Sequence, residues 1–141
     1  MATMNPFPLP DKLSPNLQRV FSYWESLKRG ETNMPFWDDV KLSALPDLAD
    51  RLLLLDVQAD PERFRVNTLG AAAGDQAGAL RGKFIDEVAL GGRLQFLRAQ
   101  ASATVEARAP TFYRGADFSR LLLPMWGDGR IGMLLGALDL H

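Results

Sequence analysis

The 141-residue sequence contains no cysteine and one histidine, His141, which is also its last residue. Those two shortages exclude several chemistries together. Disulfides and a flavin–cysteinyl photoadduct both need a thiol, and zinc sites draw on Cys and His at short spacing. A Ser-His-Asp or Cys-His relay needs an imidazole held by a rigid scaffold, as does a histidine-ligated haem. A terminal residue supplies no such scaffold. The expectation is no cofactor: no His-ligated haem, no flavin–Cys adduct, no zinc. A chain without cysteine also fits a cytoplasmic location.

Charge of one sign is lacking too. Sixteen Lys and Arg face 17 Asp and Glu, for a net charge of -1 and no like-charged block, so no nucleic-acid partner is expected. No apolar run approaches the ~18 residues of a bilayer span, which argues against membrane insertion. The start, "MATMNPFPLPD", has no basic region followed by an apolar stretch, so it is no secretory signal; its three prolines predict an extended arm over residues 1–12. What remains is a chain that is 47% hydrophobic and long enough for one domain with a real core.

The apolar residues that are present fall into patterns. In "LSPNLQRVFSYWESLKRG", Ser14 suits a helix cap, Pro15 the first turn and Gly30 the residue past the end. Leu17, Val20, Phe21, Trp24 and Leu27 make one stripe at helical spacing, able to cover the domain or to pair across a dimer. Prolines 35 and 46 break the next stretch into short helical turns, completing a helical cap over residues 13–50. "LLLLDVQ" and "RFRVNTLG" read as two strands joined by a turn, opening a core over residues 51–141. Small residues then suggest short helical turns, followed by a helix from Arg93 to Ala107 with Leu94, Leu97, Ala101 and Val105 on one side. "PTFYRGADF" is a third strand, and "SRLLLPMWGDGRIGMLLGALDLH" a hairpin of two more. That hairpin scarcely alternates polar with apolar, so both its faces need cover. An antiparallel sheet with helices on both faces would meet the need, giving an α+β fold.

This order of elements resembles the PAS fold, and the chain resembles a bacterial family of small stand-alone PAS-like proteins. The resemblance runs from about Leu17 onward and rests on "FSYWESLKRG", "MPFWDDV", "LLLLDV", "RFRVNTLG", "LRGKFIDEV" and "LLLPMWGDGRIGMLLGALDL". It implies a PAS/profilin-like five-stranded sheet of order 2-1-5-4-3 and dimerisation through flanking helices. It also implies binding of a small molecule or a protein partner. The chain departs from the family in "GAAAG", Gly70 to Gly74, where relatives carry bulkier residues. The sequence stops a few residues past the fifth strand, so the expected effector is a separate protein.

A ligand in such a fold would lie between the sheet and the middle helices. Leu69, Ala72, Phe84, Leu94 and Leu97 are the expected lining, with Leu122 and Trp126 from the fourth strand. Asn67, two residues from Leu69 on the same strand face, would add one polar contact. The competing expectation is that these residues fill a closed core.

Catalytic groups are scarce. Asp38–Asp39 and Asp86–Glu87 are adjacent pairs whose side chains diverge, and Asp38 or Asp39 suits a helix cap or a solvated surface. Asp56 interrupts a strand and Asp139 ends one; a buried copy of either needs a partner such as Arg65 or Arg120. Gly70, Gly74, Gly78 and Gly82 recur at fours without completing a dinucleotide or phosphate-loop pattern. The sequence therefore reads as a sensory or signalling module and not an enzyme. It would act as a homodimer or through a separate partner, with or without a small apolar ligand. The alternatives are a small α+β-cone enzyme with a buried Asp56 as base, and a ligand-free scaffold.

Overall fold

The computed structural model describes residues 7–28, 34–59, 61–72, 80–88, 90–127 and 129–140. Helix α1 (Pro15–Ser26) starts as its sequence predicts: the Ser14 side chain accepts from the Leu17 amide and Pro15 occupies the first turn. Its last residue is Ser26, with Leu27 as the C-cap, earlier than expected; Gly30 lies outside the described residues. The prolines split the following stretch into three 3-10 helices, Trp37–Asp39, Leu42–Ala44 and Pro46–Arg51.

Strands β1 (Leu52–Gln58), β2 (Arg63–Leu69), β3 (Thr111–Arg114), β4 (Phe118–Gly127) and β5 (Arg130–Leu140) form one antiparallel sheet in the order β2-β1-β5-β4-β3. The order matches the resemblance. β3 is shorter than the sequence predicts, because the Gly115 amide closes a turn onto the Phe118 carbonyl and Phe118 already belongs to β4.

Register sorts the side chains. Directly paired residues share a face, so Leu53, Leu55, Val57, Arg120, Leu122, Leu134, Gly136 and Leu138 lie on one side. Leu52, Leu54, Asp56, Leu121, Leu123, Met133, Leu135 and Ala137 lie on the other. Helix α2 (Leu97–Ala107) covers the first face, where Gln100 reaches Thr111 and Arg120. Helix α1 covers the second, with Leu17 and Val20 beside Leu48, Leu52 and Ala137. The α1 stripe thus packs on its own sheet: Leu17, Val20 and Trp24 are buried, while Phe21 and Leu27 are partly so.

α2 begins four residues later than the periodicity suggests. Gly92–Leu94 form a separate 3-10 turn, Gln95 is extended at ψ 133°, and Phe96 sits in the left-handed region at φ 61°. A left-handed residue cannot belong to a right-handed helix, so the helix restarts at Leu97.

Open strand edges invite pairing with other chains, and local segments cover parts of these. Phe7 of the N-terminal arm accepts from the Phe112 amide of β3 (3.0 Å). Where β4 outruns β3, Pro35 accepts from the Trp126 amide (2.8 Å) and the Trp24 indole donates to the Pro124 carbonyl (2.9 Å). Along β2, Lys83 and Gly82 bond to both backbone groups of Val66.

Trp24 joins α1 to β4 by both its ring and its N–H. Trp24→Ala should therefore cost about 3–5 kcal/mol, read by equilibrium urea unfolding. A loss under ~1 kcal/mol would show that α1 is a dispensable cover.

Candidate ligand-binding site

The face of the sheet beneath α2 is where the sequence places a pocket, and at its centre the structure places close packing. Leu94, Leu97 and Leu122 are buried in the one core cluster, with Leu69 packed against it. A Cβ added at Gly136 would come within 2.6 Å of Leu53 and 2.9 Å of Leu122, so there is no spare volume there. Ala72 is half-buried, its amide bonded to the Asp50 carbonyl and its carbonyl to Arg93 Nη1 (3.0 Å). Ala73 and Gly74, the rest of "GAAAG", lie outside the described residues.

Three expected members stand apart from this group. Asn67 does not share a face with Leu69. The β1–β2 register shifts between Leu54 and Leu55, inserting Asn67 beside Thr68. A bulge of this kind breaks the two-residue alternation and turns Asn67 to the opposite face, where it donates to Asp56 and accepts from Thr68. Phe84 sits at the outer margin of β2, bridged to Arg65 with the Arg63 guanidinium 3.8 Å above its ring. Trp126 is half-buried at the far end of β4, bridged to Phe36.

A cluster that the sequence did not single out holds the middle of this face. Arg120 is fully buried. Its Nε donates to Gln100 Oε1 (2.7 Å), Nη1 to the Arg93 carbonyl (2.9 Å) and Nη2 to the Gln95 carbonyl (2.8 Å). The Tyr113 and Phe118 rings lie 5.3 and 5.7 Å from the guanidinium carbon. Gln100 also donates to Thr111 Oγ1 and the Arg120 carbonyl, and Thr111 shares a 2.6 Å hydroxyl contact with Thr104. Among the described residues no carboxylate pairs with Arg120. Burial pushes its pKa down to about 10, against a smaller opposing effect of Tyr113, so the group stays charged at neutral pH.

Measurable space lies elsewhere, and one such volume is at the other end of α2. A cavity of about 320 Å3, open to solvent, is lined by Val57, Gln58, Ala59, Pro61, Glu62, Val105, Arg108, Arg130 and Ile131. It opens where the two hairpin ends meet the last turn of α2. A β4–β5 register shift after Met125 pairs Ile131 with Trp126 and helps to form the wall. Periodicity gave no sign of it, because its residues come from three separate turns. A second, more open groove of about 430 Å3 runs over Leu90, Phe96 and Arg98, where Phe96 is 56% exposed.

The carboxylates are mostly engaged in ion pairs. Asp56 accepts from Arg65 at 2.8 and 3.1 Å and Asp139 lies 3.7 Å from Arg51. Asp86 accepts from Arg63, whose hydrogen bonds hold its pKa below the ordinary carboxylate value. Asp38 lies 3.9 Å from Lys41 on the surface. Among the described residues no group of three or more His, Cys, Asp or Glu is placed to hold a metal ion. No helix among them is long and apolar enough to cross a membrane.

No protein-family model, curated protein or solved structure matches this chain.

Arg120→Ala should destabilise the protein by about 2–4 kcal/mol, since it leaves a cavity and deprives Gln100 and two carbonyls of their donor. Urea unfolding measures it, and a change below ~0.5 kcal/mol would remove Arg120 from any organising role. Gly136→Ala should lose about 1–3 kcal/mol by overpacking; a neutral result in the same assay would reveal slack in the central face.

Proposed function

We propose that this chain is a cytoplasmic PAS-like sensory module that binds a small amphipathic molecule and acts through a homodimer or a separate partner protein. The observation that carries the reading is the cavity of about 320 Å3 between the sheet and the end of α2. Its volume falls at the lower end of the range of small-molecule sites, and its wall mixes apolar side chains with a few charged ones. Both ends of α2 bear on the reading. The first two turns are tied to the sheet through Gln100, Thr104, Thr111 and Arg120. The last turn contributes Val105 to the cavity. A molecule seated there would bear on the end of α2 away from the polar tie, and movement of that end would alter the surface offered to a partner.

An enzymatic reading draws less support: Asp56, the candidate base, is engaged by Arg65 and Asn67. A ligand-free scaffold is the alternative outcome of the test.

The test is a thermal-shift screen of small amphipathic molecules on the whole protein and on Val105→Trp, whose larger ring fills the cavity. The wild type should gain stability with at least one compound, and Val105→Trp should remain folded and lose that response. A wild type indifferent to every compound, together with a mutant of unchanged stability, would leave a scaffold. Light scattering of the intact protein should give twice the chain mass; a monomer at every concentration would remove the homodimer from the proposal.

A further inference from the structure

The proposed ligand site carries more information than its volume, because its charged residues are unevenly partnered. We infer that the cavity takes a small organic monoanion, a carboxylate, with its head between Arg108 and Arg130 and its apolar body on Val57, Val105 and Ile131. This rests on the ligand-binding reading above and adds the chemical class.

Arg130 is fixed at the wall. Its Nη1 donates to the Val57 carbonyl (2.7 Å) and the Ile131 carbonyl (3.2 Å), and among the described residues nothing accepts from its Nε or Nη2. The guanidinium therefore holds its position on the backbone while keeping N–H donors for another acceptor. Arg108 follows the last residue of α2 with φ 52°, a conformation that glycine usually supplies at a helix end. Its amide caps the Thr104 carbonyl. Among the described residues its side chain forms no ion pair or hydrogen bond. Arg108 is exposed and lines the cavity, so its guanidinium is open to an acceptor arriving from solvent.

The negative charge at the site selects among anions. Glu62 is the one described carboxylate on the wall, and it accepts from the Ser102 hydroxyl at 2.7 Å. The carbonyl end of α2 adds partial negative charge. Among the described residues of the wall, two guanidiniums against one carboxylate and a helix terminus leave a modest positive balance, which suits a single negative charge. A phosphate monoester carries nearly two at neutral pH. A planar carboxylate also matches the fork of an arginine. The apolar walls then ask for an organic body, not an inorganic ion.

Calorimetric titration of the intact protein with hexanoate, 1-hexanol, hexylammonium and hexyl phosphate tests the inference. Hexanoate should bind on the order of tenfold more tightly than 1-hexanol, weaken as salt is added, and exceed hexyl phosphate. Arg108→Gln should lose that advantage, with its affinity for hexanoate falling to that for 1-hexanol. The ranking and the salt dependence are read on the wild type, so the test survives a variant that does not fold. Equal binding of hexanoate and 1-hexanol would overturn the anion assignment and leave the ligand-binding reading standing. Preference for hexyl phosphate would overturn the limit to one charge, and preference for hexylammonium would overturn the sign. No binding by any of the four would remove both this inference and the amphipathic-ligand reading beneath it.

Discussion

β4 and β5 are ten and eleven residues long and mostly buried on both faces, and most of the other elements answer that burden. An antiparallel sheet ordinarily leaves one face to solvent and marks it with alternating polar residues. Here Leu121 to Met125 and Met133 to Leu138 are buried without a polar side chain among them. Each face therefore requires its own helix, and the chain supplies one from before the sheet and one from its middle. The strand edges follow the same logic. The arm residue Phe7, the Pro35–Phe36 segment and the Trp24 indole occupy backbone groups that β3 is too short, or too far out, to satisfy internally.

The cover of the α2 face is not purely apolar. A buried guanidinium without a carboxylate is costly, because the charge leaves water without a full counter-charge. Arg120 offsets that cost with three neutral acceptors and two aromatic rings. Two of those acceptors are the carbonyls of Arg93 and Gln95, in the segment that interrupts the helix before Leu97. The same contacts that solvate the charge thus fix where α2 begins and hold its first turns against β3 and β4. Directional bonds of this kind specify one placement of a helix that non-directional apolar packing would allow to slide.

The far end of α2 is held differently. Val105 and Ile131 both line the cavity, and among the described residues neither Arg108 nor Arg130 forms an ion pair. One end of the helix is tied by a closed polar network, and the other borders open volume beside two exposed arginines. That asymmetry puts an anchored end and a cavity-facing end on a single element, as the proposed reporting role requires.

The sequence by itself determined the strand order's raw material: two hairpins, a capped N-terminal helix and a middle helix, all legible because 3.6- and two-residue periods follow directly from helix and strand geometry. Ser14, Pro15 and the Leu17–Trp24 stripe behaved as their local chemistry requires, and the unbroken apolar run of β4 and β5 correctly demanded two covering layers. Three features depended on tertiary structure. Asn67 changed faces because a bulge, which has no sequence signature here, shifted the β1–β2 register by one residue. Arg120 and Gln100 became a buried pair only because residues 20 positions apart met across the sheet face; in sequence each is an ordinary polar residue. The cavity formed where three chain turns converge, while at Gly136, on the sheet face where the sequence placed the pocket, Leu53 and Leu122 leave no room for even a methyl group. Periodicity reports which way a side chain points relative to its own element. Whether space remains in front of it is set by elements distant in the chain.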